Sequence, residues 1–106
     1  MYSFVYVTAK NTDEAKNIAV YLLKKKLIAC ANIFPVKSMY LWKRKIEKEN
    51  ECAMILKTKK NLVKTIINEV RAKHSYDVPC IISFDIKDGN RDFLNWIKSE
   101  TDVQTK

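Results

Sequence analysis

Glycine occurs once in this 106-residue chain, as Gly89, and histidine once, as His74; there are two prolines and three cysteines. One glycine rules out a Gly-rich loop that cradles phosphate and a GxSxG elbow for a serine nucleophile. With one histidine, any Cys/His dyad must use His74, and no other catalytic arrangement emerges. The chain therefore reads as a non-enzyme. Cys30, Cys52 and Cys80 stand far apart, form no CxxC pair and offer no disulfide framework, so they read as reduced thiols. No apolar run approaches the roughly 18 residues a membrane-crossing helix needs. The opening MYSFVYV lacks the basic-then-apolar order and cleavage site of a signal peptide, and a cytoplasmic protein is the default expectation.

Charge is abundant. Twenty basic residues against twelve acidic give a formal charge of +8, which favours polyanions such as nucleic acid. The densest run, Lys24-Lys25-Lys26, falls where a helix should end. There, cations favour the negative end of the helix dipole by roughly 0.3–1 kcal/mol each, and that explanation suffices.

Hydrophobic spacing supplies the elements. Tyr2, Phe4 and Tyr6 alternate with Ser3, Val5 and Val7 in a strand whose two faces both look covered. Asn11 can cap a helix, with Glu14 reaching back to it as in a capping box. Ala15, Ile18, Ala19, Leu22 and Leu23 form that helix's apolar stripe. Ile28 to Phe34 reads as a second strand ending near Pro35, which suits an edge or bend. Ser38 to Glu49 reads as a third, with Tyr40, Trp42, Arg44 and Ile46 on one face. At about 3.3 Å per residue it would extend roughly 35–40 Å, beyond what its own subunit's core requires. Glu49-Asn50-Glu51 is expected to turn the chain into a fourth strand from Cys52 to Lys57.

Asn61 to Lys73 carries a second helical stripe, Leu62, Val63, Ile66, Ile67 and Val70. His74 to Asp77 connects it to a fifth strand, Val78 to Ile86. Asp88-Gly89-Asn90 is a turn, Asn90 a cap for a last helix bearing Phe93, Leu94 and Ile97, and the residues from about Thr101 are expected to fray. The order is an α+β, ferredoxin-like βαββαβ sandwich over residues 1–106, one domain with a long central hairpin and an extra C-terminal helix. Helices on one sheet face leave the other, with Tyr40, Trp42, Ile46 and the first-strand aromatics, needing a cover, and self-association is the natural solution.

Several segments in register carry a family resemblance. Ala29-Cys30-Ala31-Asn32, YLWKRKIE from Tyr40 to Glu47, Met54-Ile55-Leu56-Lys57-Thr58, HSYDVP from His74 to Pro79, and Asn95-Trp96-Ile97 resemble the CutA family of divalent-cation tolerance proteins. The resemblance covers nearly the whole chain, Tyr2 to Thr101. It implies a homotrimer of ferredoxin-like subunits, similar to the nitrogen-regulatory PII proteins, with long strands pairing between subunits. It also implies a link to copper and other divalent metal ions, in animals to acetylcholinesterase assembly, and no established reaction. Cys30 and His74 correspond to the positions proposed in that family as metal ligands. Three departures stand out: HPYEVP reads HSYDVP, a usual glycine is Arg44, and a usual glutamate is Cys80.

The residues have their own reading. A neutral imidazole is the commonest borderline metal ligand and a thiolate suits copper, but spacing alone does not bring Cys30 and His74 together. His74 reads equally as a histidine at a helix C-terminus. Cys52 shares a face with Met54 and Leu56, and Cys80 with Ile82 and Phe84, so both read as small core hydrophobes. Tyr40, Trp42, Glu47, Lys57 and Tyr76 are candidates for an intersubunit pocket or a plain interface, with Lys57 and Glu47 as a rim ion pair. Two other functions remain: a basic βαββαβ module for nucleic acid, although YLWKRKIE lacks the Gly-Phe signature of an RNA-recognition strand, or a structural assembly module with a protein partner.

Overall fold

A computed structural model describes residues 1–102. The chain runs β1 (Tyr2–Ala9), α1 (Thr12–Lys24), β2 (Cys30–Trp42), β3 (Lys45–Lys59), a 3-10 turn (Lys60–Leu62), α2 (Val63–Lys73), β4 (Ile81–Ile86) and α3 (Arg91–Thr101). The strands make one antiparallel sheet in the order β2-β3-β1-β4, and the βαββαβ expectation holds.

Alternation on β1 divides the molecule. Ser3, Val5, Val7 and Ala9 are fully buried, as are Met54, Leu56 and Thr58 of β3. Against them pack Ala15, Ile18, Ala19 and Leu22 of α1 and Ile66 and Val70 of α2, which fall within the predicted stripes. Each large apolar side chain so buried contributes about 1.5–3 kcal/mol. Cys52 is part of this core, 3% exposed, as its strand face predicted. Asn11 accepts from the Glu14 N–H at 2.9 Å, but the Glu14 carboxylate bonds the Lys10 N–H, one residue earlier than a capping box requires. At the other end of α1, the Leu27 N–H bonds Leu22 O and the Lys26 N–H bonds Leu23 O, a Schellman closure with Lys26 at φ 58°. The run Lys24-Lys25-Lys26 is thus a helix terminus, as expected.

The central hairpin differs from its sequence reading. β2 runs through Pro35 to Trp42, the chain reverses at Lys43-Arg44, and β3 continues through Glu49-Asn50-Glu51 without turning. β2 is an edge strand, where a proline facing outward costs no ladder bond. The reversal has φ 51° at Lys43 and 68° at Arg44, the two positive values a type I′ turn demands. Such turns are normally marked by Asn-Gly or Asp-Gly, and two basic residues give no such signal. The reversal also redistributes the faces: Tyr40 and Trp42 pair with Glu47 and Lys45, whereas Ile46 joins Met39 and Leu41 on the other side.

The hairpin outruns the helices, giving the molecule a long axis of 48 Å. Leu41 is 74% exposed and Met39 and Ile46 each 67%, so the tip is apolar on the side where the core would otherwise be. On the opposite, helix-free face, Phe4 stacks on Phe84 with centroids 5.0 Å apart, and Ile82 and Phe84 stay about half exposed. β1 therefore has one face covered and one only partly so, contrary to expectation. The third helix rests against the Lys57–Lys59 end of β3, with the Lys57 ammonium 5.7 Å from the Phe93 ring and the Lys59 ammonium 2.8 Å from Asp102. Asn90 sits at its N-cap without a side-chain hydrogen bond. Thr101, expected to begin a frayed tail, is buried and bonds Ile97 O; the tail beyond Asp102 lies outside the described residues.

Candidate functional site

The HSYDVP segment sits where three elements meet. His74 ends α2, and its side chain is fully buried. Nε2 lies 2.7 Å from Thr8 O, so it carries the proton and donates to that carbonyl of β1. Nδ1 then accepts the Tyr76 N–H at 3.1 Å, and the two rings pack at 4.8 Å. Both nitrogens are thereby occupied by the subunit's own backbone. The Glu14 carboxylate takes the Ser75 N–H at 2.8 Å and lies 4.0 Å from Nδ1, linking the start of α1 to the same loop. Burial pushes the Glu14 carboxyl up, but the Lys10 and Ser75 N–H donors outweigh it and hold it below its usual range.

From this junction a groove of about 900 Å³ runs along the helix-free face of the hairpin. One wall is Tyr40, Trp42, Glu47, Glu49 and Glu51, and the other is Tyr76, Asp77, Val78 and Cys80. Glu47, Glu49 and Glu51 fall on one face because a strand repeats every two residues, and they lie opposite Tyr40, Ser38 and Val36. The Tyr76 hydroxyl donates to Glu51 at 2.6 Å. Burial first, then that carboxylate, raises the Tyr76 phenol well above its usual range, and Glu49 first, then burial, raises Tyr40. No Glu of this ladder has a basic partner within 4.0 Å among the described residues.

Four of the five candidate pocket residues, Tyr40, Trp42, Glu47 and Tyr76, therefore line one groove. The fifth, Lys57, does not: ten residues along β3 from Glu47, about 33 Å at strand spacing, it points its ammonium at Asn32. The expected Lys57–Glu47 rim pair does not form within the chain. Cys80 precedes β4 and sits on the groove's rim, half-buried, instead of in the core; burial, then Glu51, raises its thiol. The face it shares with Ile82 and Phe84 is the one no helix covers, which is what keeps it out of the core. Sequence reading missed Glu49 and Glu51, which it had placed in a turn, and Glu14, which it treated as a cap alone.

Cys30 opens β2 opposite Lys57, which in turn pairs with Phe4. His74 bonds Thr8, four residues further along β1, or about 13 Å, and Cys30 lies two strands across, about 10 Å. The chain does not bring the two together. Among the described residues, no three His, Cys, Asp or Glu side chains converge on a point that would hold a metal ion.

Residues 3–100 match the family described as CutA1 divalent ion tolerance protein. The chain belongs to the CutA1 family. It is 48% identical over 97 residues to the divalent-cation tolerance protein CutA of Archaeoglobus fulgidus, covering 92% of this chain and 95% of that one. The solved structure described as the periplasmic divalent cation tolerance protein CutA from that organism superposes with a TM-score of 0.95, at 46% identity and covering 96% and 100% of the two chains. Rice protein CutA 1, chloroplastic, is 40% identical over 98 residues, 92% of this chain but 55% of its own length. CutA1 relatives thus carry different compartments in their names, and no described helix here is long and apolar enough to cross a membrane. The family is named for ion tolerance and not for a reaction.

Proposed function

We propose that this protein is a cytoplasmic homotrimer that binds divalent cations, copper among them, at sites completed between subunits, and that it catalyses no reaction. One observation carries the reading. The helix-free sheet face and both sides of the hairpin tip leave Phe84, Ile82, Trp42, Leu41 and Met39 between 47% and 74% exposed in a single chain, large apolar side chains on each of these surfaces that call for a cover. A second copy is the cover that needs no other partner. Membership in a family named for divalent ion tolerance supports the cation.

Cys30 and His74 are the proposed donors. His74 has the Glu14 carboxylate 4.0 Å from Nδ1, but no three donor side chains converge among the described residues, so a transition-metal site, which takes about four ligands, would have to draw on a neighbour. For Nδ1 of His74 to bind an ion, it would have to release the Tyr76 N–H. Copper titration followed by heat and absorbance tests the donors. Loss of binding in the Cys30→Ser, His74→Gln double variant is the expected outcome, and unchanged binding would reject them.

A second reading, nucleic-acid binding, draws on the Phe4–Phe84 stack beside Lys57 on the open face and on the +8 charge. Trimer formation would bury that stack. A mobility shift with single-stranded RNA that weakens with salt would favour it over the trimer.

A further inference from the structure

The chain's positive charge is not spread evenly over the fold. Residues 10–26 and 60–73, which hold α1, α2 and their flanking turns, carry nine basic residues against three acidic, so +6 of the chain's +8 lies on the one layer that covers the buried face of the sheet. All nine cations are exposed. Among the described residues, seven of them have no carboxylate within 4.0 Å; Lys25 reaches Glu69 and Lys60 reaches Asp85. Two of the three acids are already engaged, Glu14 by the Lys10 and Ser75 N–H groups and Glu69 by the Tyr21 hydroxyl. The helix dipole accounts for Lys24, Arg71 and Lys73, which stand in last turns. It does not account for Lys16 in the first half of α1, and it opposes Lys64, which sits in the first turn of α2, where there is no acidic residue and no side-chain cap. These cations stand where helix stability does not ask for them.

We infer that the outer face of α1 and α2 is a docking surface for double-stranded nucleic acid, held through its phosphates. A clustered basic face with few counter-charges is the electrostatic footprint of a polyanion. The side chains between the cations select the kind. A single strand is held by stacking its bases on open aromatic rings. The layer's one aromatic residue, Tyr21, has the Lys73 ammonium 4.2 Å and the Lys25 ammonium 5.2 Å from its ring centroid and its hydroxyl on Glu69, so no base can take its place there. A membrane surface calls for apolar and aromatic side chains that insert beside the cations. Here the exposed large apolar residues are Val20 and Leu23 alone, whereas the exposed tryptophans and phenylalanines all lie outside the layer. A duplex presents its phosphates outward and asks for neither stacking nor insertion. This surface is on the other side of the sheet from the Phe4–Phe84 stack and the groove, so assembly through the helix-free face leaves it open. It does not depend on the trimer.

Fluorescence anisotropy with a labelled DNA duplex about two helical turns long tests this on the purified full chain. Binding in low salt should weaken as salt rises, with a slope of about −4 for log K against log salt, as roughly four to five neutralised phosphates give. Lys16→Glu with Lys64→Glu should weaken it by about tenfold or more and make that slope shallower by about two. Both changes place an acid in the N-terminal half of a helix, where the dipole favours it, so loss of binding would not come from a melted helix. Circular dichroism checks this. Arg91→Glu with Lys98→Glu on α3 makes the same change in net charge outside the layer and should leave affinity within about twofold. No binding of the duplex in low salt would overturn the inference, as would an equal loss in the α3 pair, which would reduce the effect to net charge. A single strand of the same length that binds more tightly than the duplex, or phosphatidylserine vesicles that displace the duplex from the chain, would overturn it too.

Discussion

Glu14 and His74 decide how the loop after α2 is held. The Glu14 carboxylate accepts from Lys10 and Ser75 N–H groups and is held below its usual range despite burial. A carboxyl whose folded pKa is depressed adds stability that is present above its unfolded pKa and lost as pH falls through the folded value. Urea midpoints should therefore fall on acidifying below the ordinary carboxylate range, and Glu14→Gln should flatten that part of the curve. Tyr76→Phe removes the bond to Glu51 and should cost about 1 kcal/mol in the same assay. The sequence made His74 conspicuous as the only imidazole, yet its partners were not legible there. Thr8 and Glu14 lie some sixty residues earlier, and only the fold places a β1 carbonyl at Nε2 and a backbone N–H at Nδ1. Cys80 was misread because its neighbours Ile82 and Phe84, which do share its face, are on the side no helix covers.

At the scale of elements, the helices were legible and the hairpin's reversal was not. The 3.6-residue stripes of α1 and α2 lie on the sheet, with Leu23 alone of the α1 stripe left 40% exposed at its edge, so Leu22→Ala should cost about 2–5 kcal/mol. The hairpin hid its turn behind Lys43 and Arg44, while Pro35 and the Glu-Asn-Glu triplet imitated breaks that an edge strand tolerates. The chain's shortage of glycine explains this. Among the described residues the left-handed ones are Lys26, Lys43 and Arg44, and Gly89 is not one of them; a Cβ at Gly89 would instead meet Leu94 at 3.3 Å. Lys26→Gly should accordingly stabilise the chain by about 0.5–1 kcal/mol, read as a shifted urea midpoint at unchanged slope. Asn11→Ala, which removes the cap on α1, should cost about 1 kcal/mol.

For the whole molecule, the alternation of strands and helices was enough to place the sheet, and membership in the CutA1 family agrees with it. What sequence spacing could not convey is that the two proposed metal donors occupy different parts of one chain, with Cys30 at the Lys57 end and His74 at the Thr8 end, where the groove begins. Both the open apolar face and the unconverged donors lead to the same place, the junction between copies. Light scattering on the purified chain in low salt measures that junction most directly. The account predicts a mass three times the 12.4 kDa of one chain; a monomeric mass across the micromolar range would contradict it.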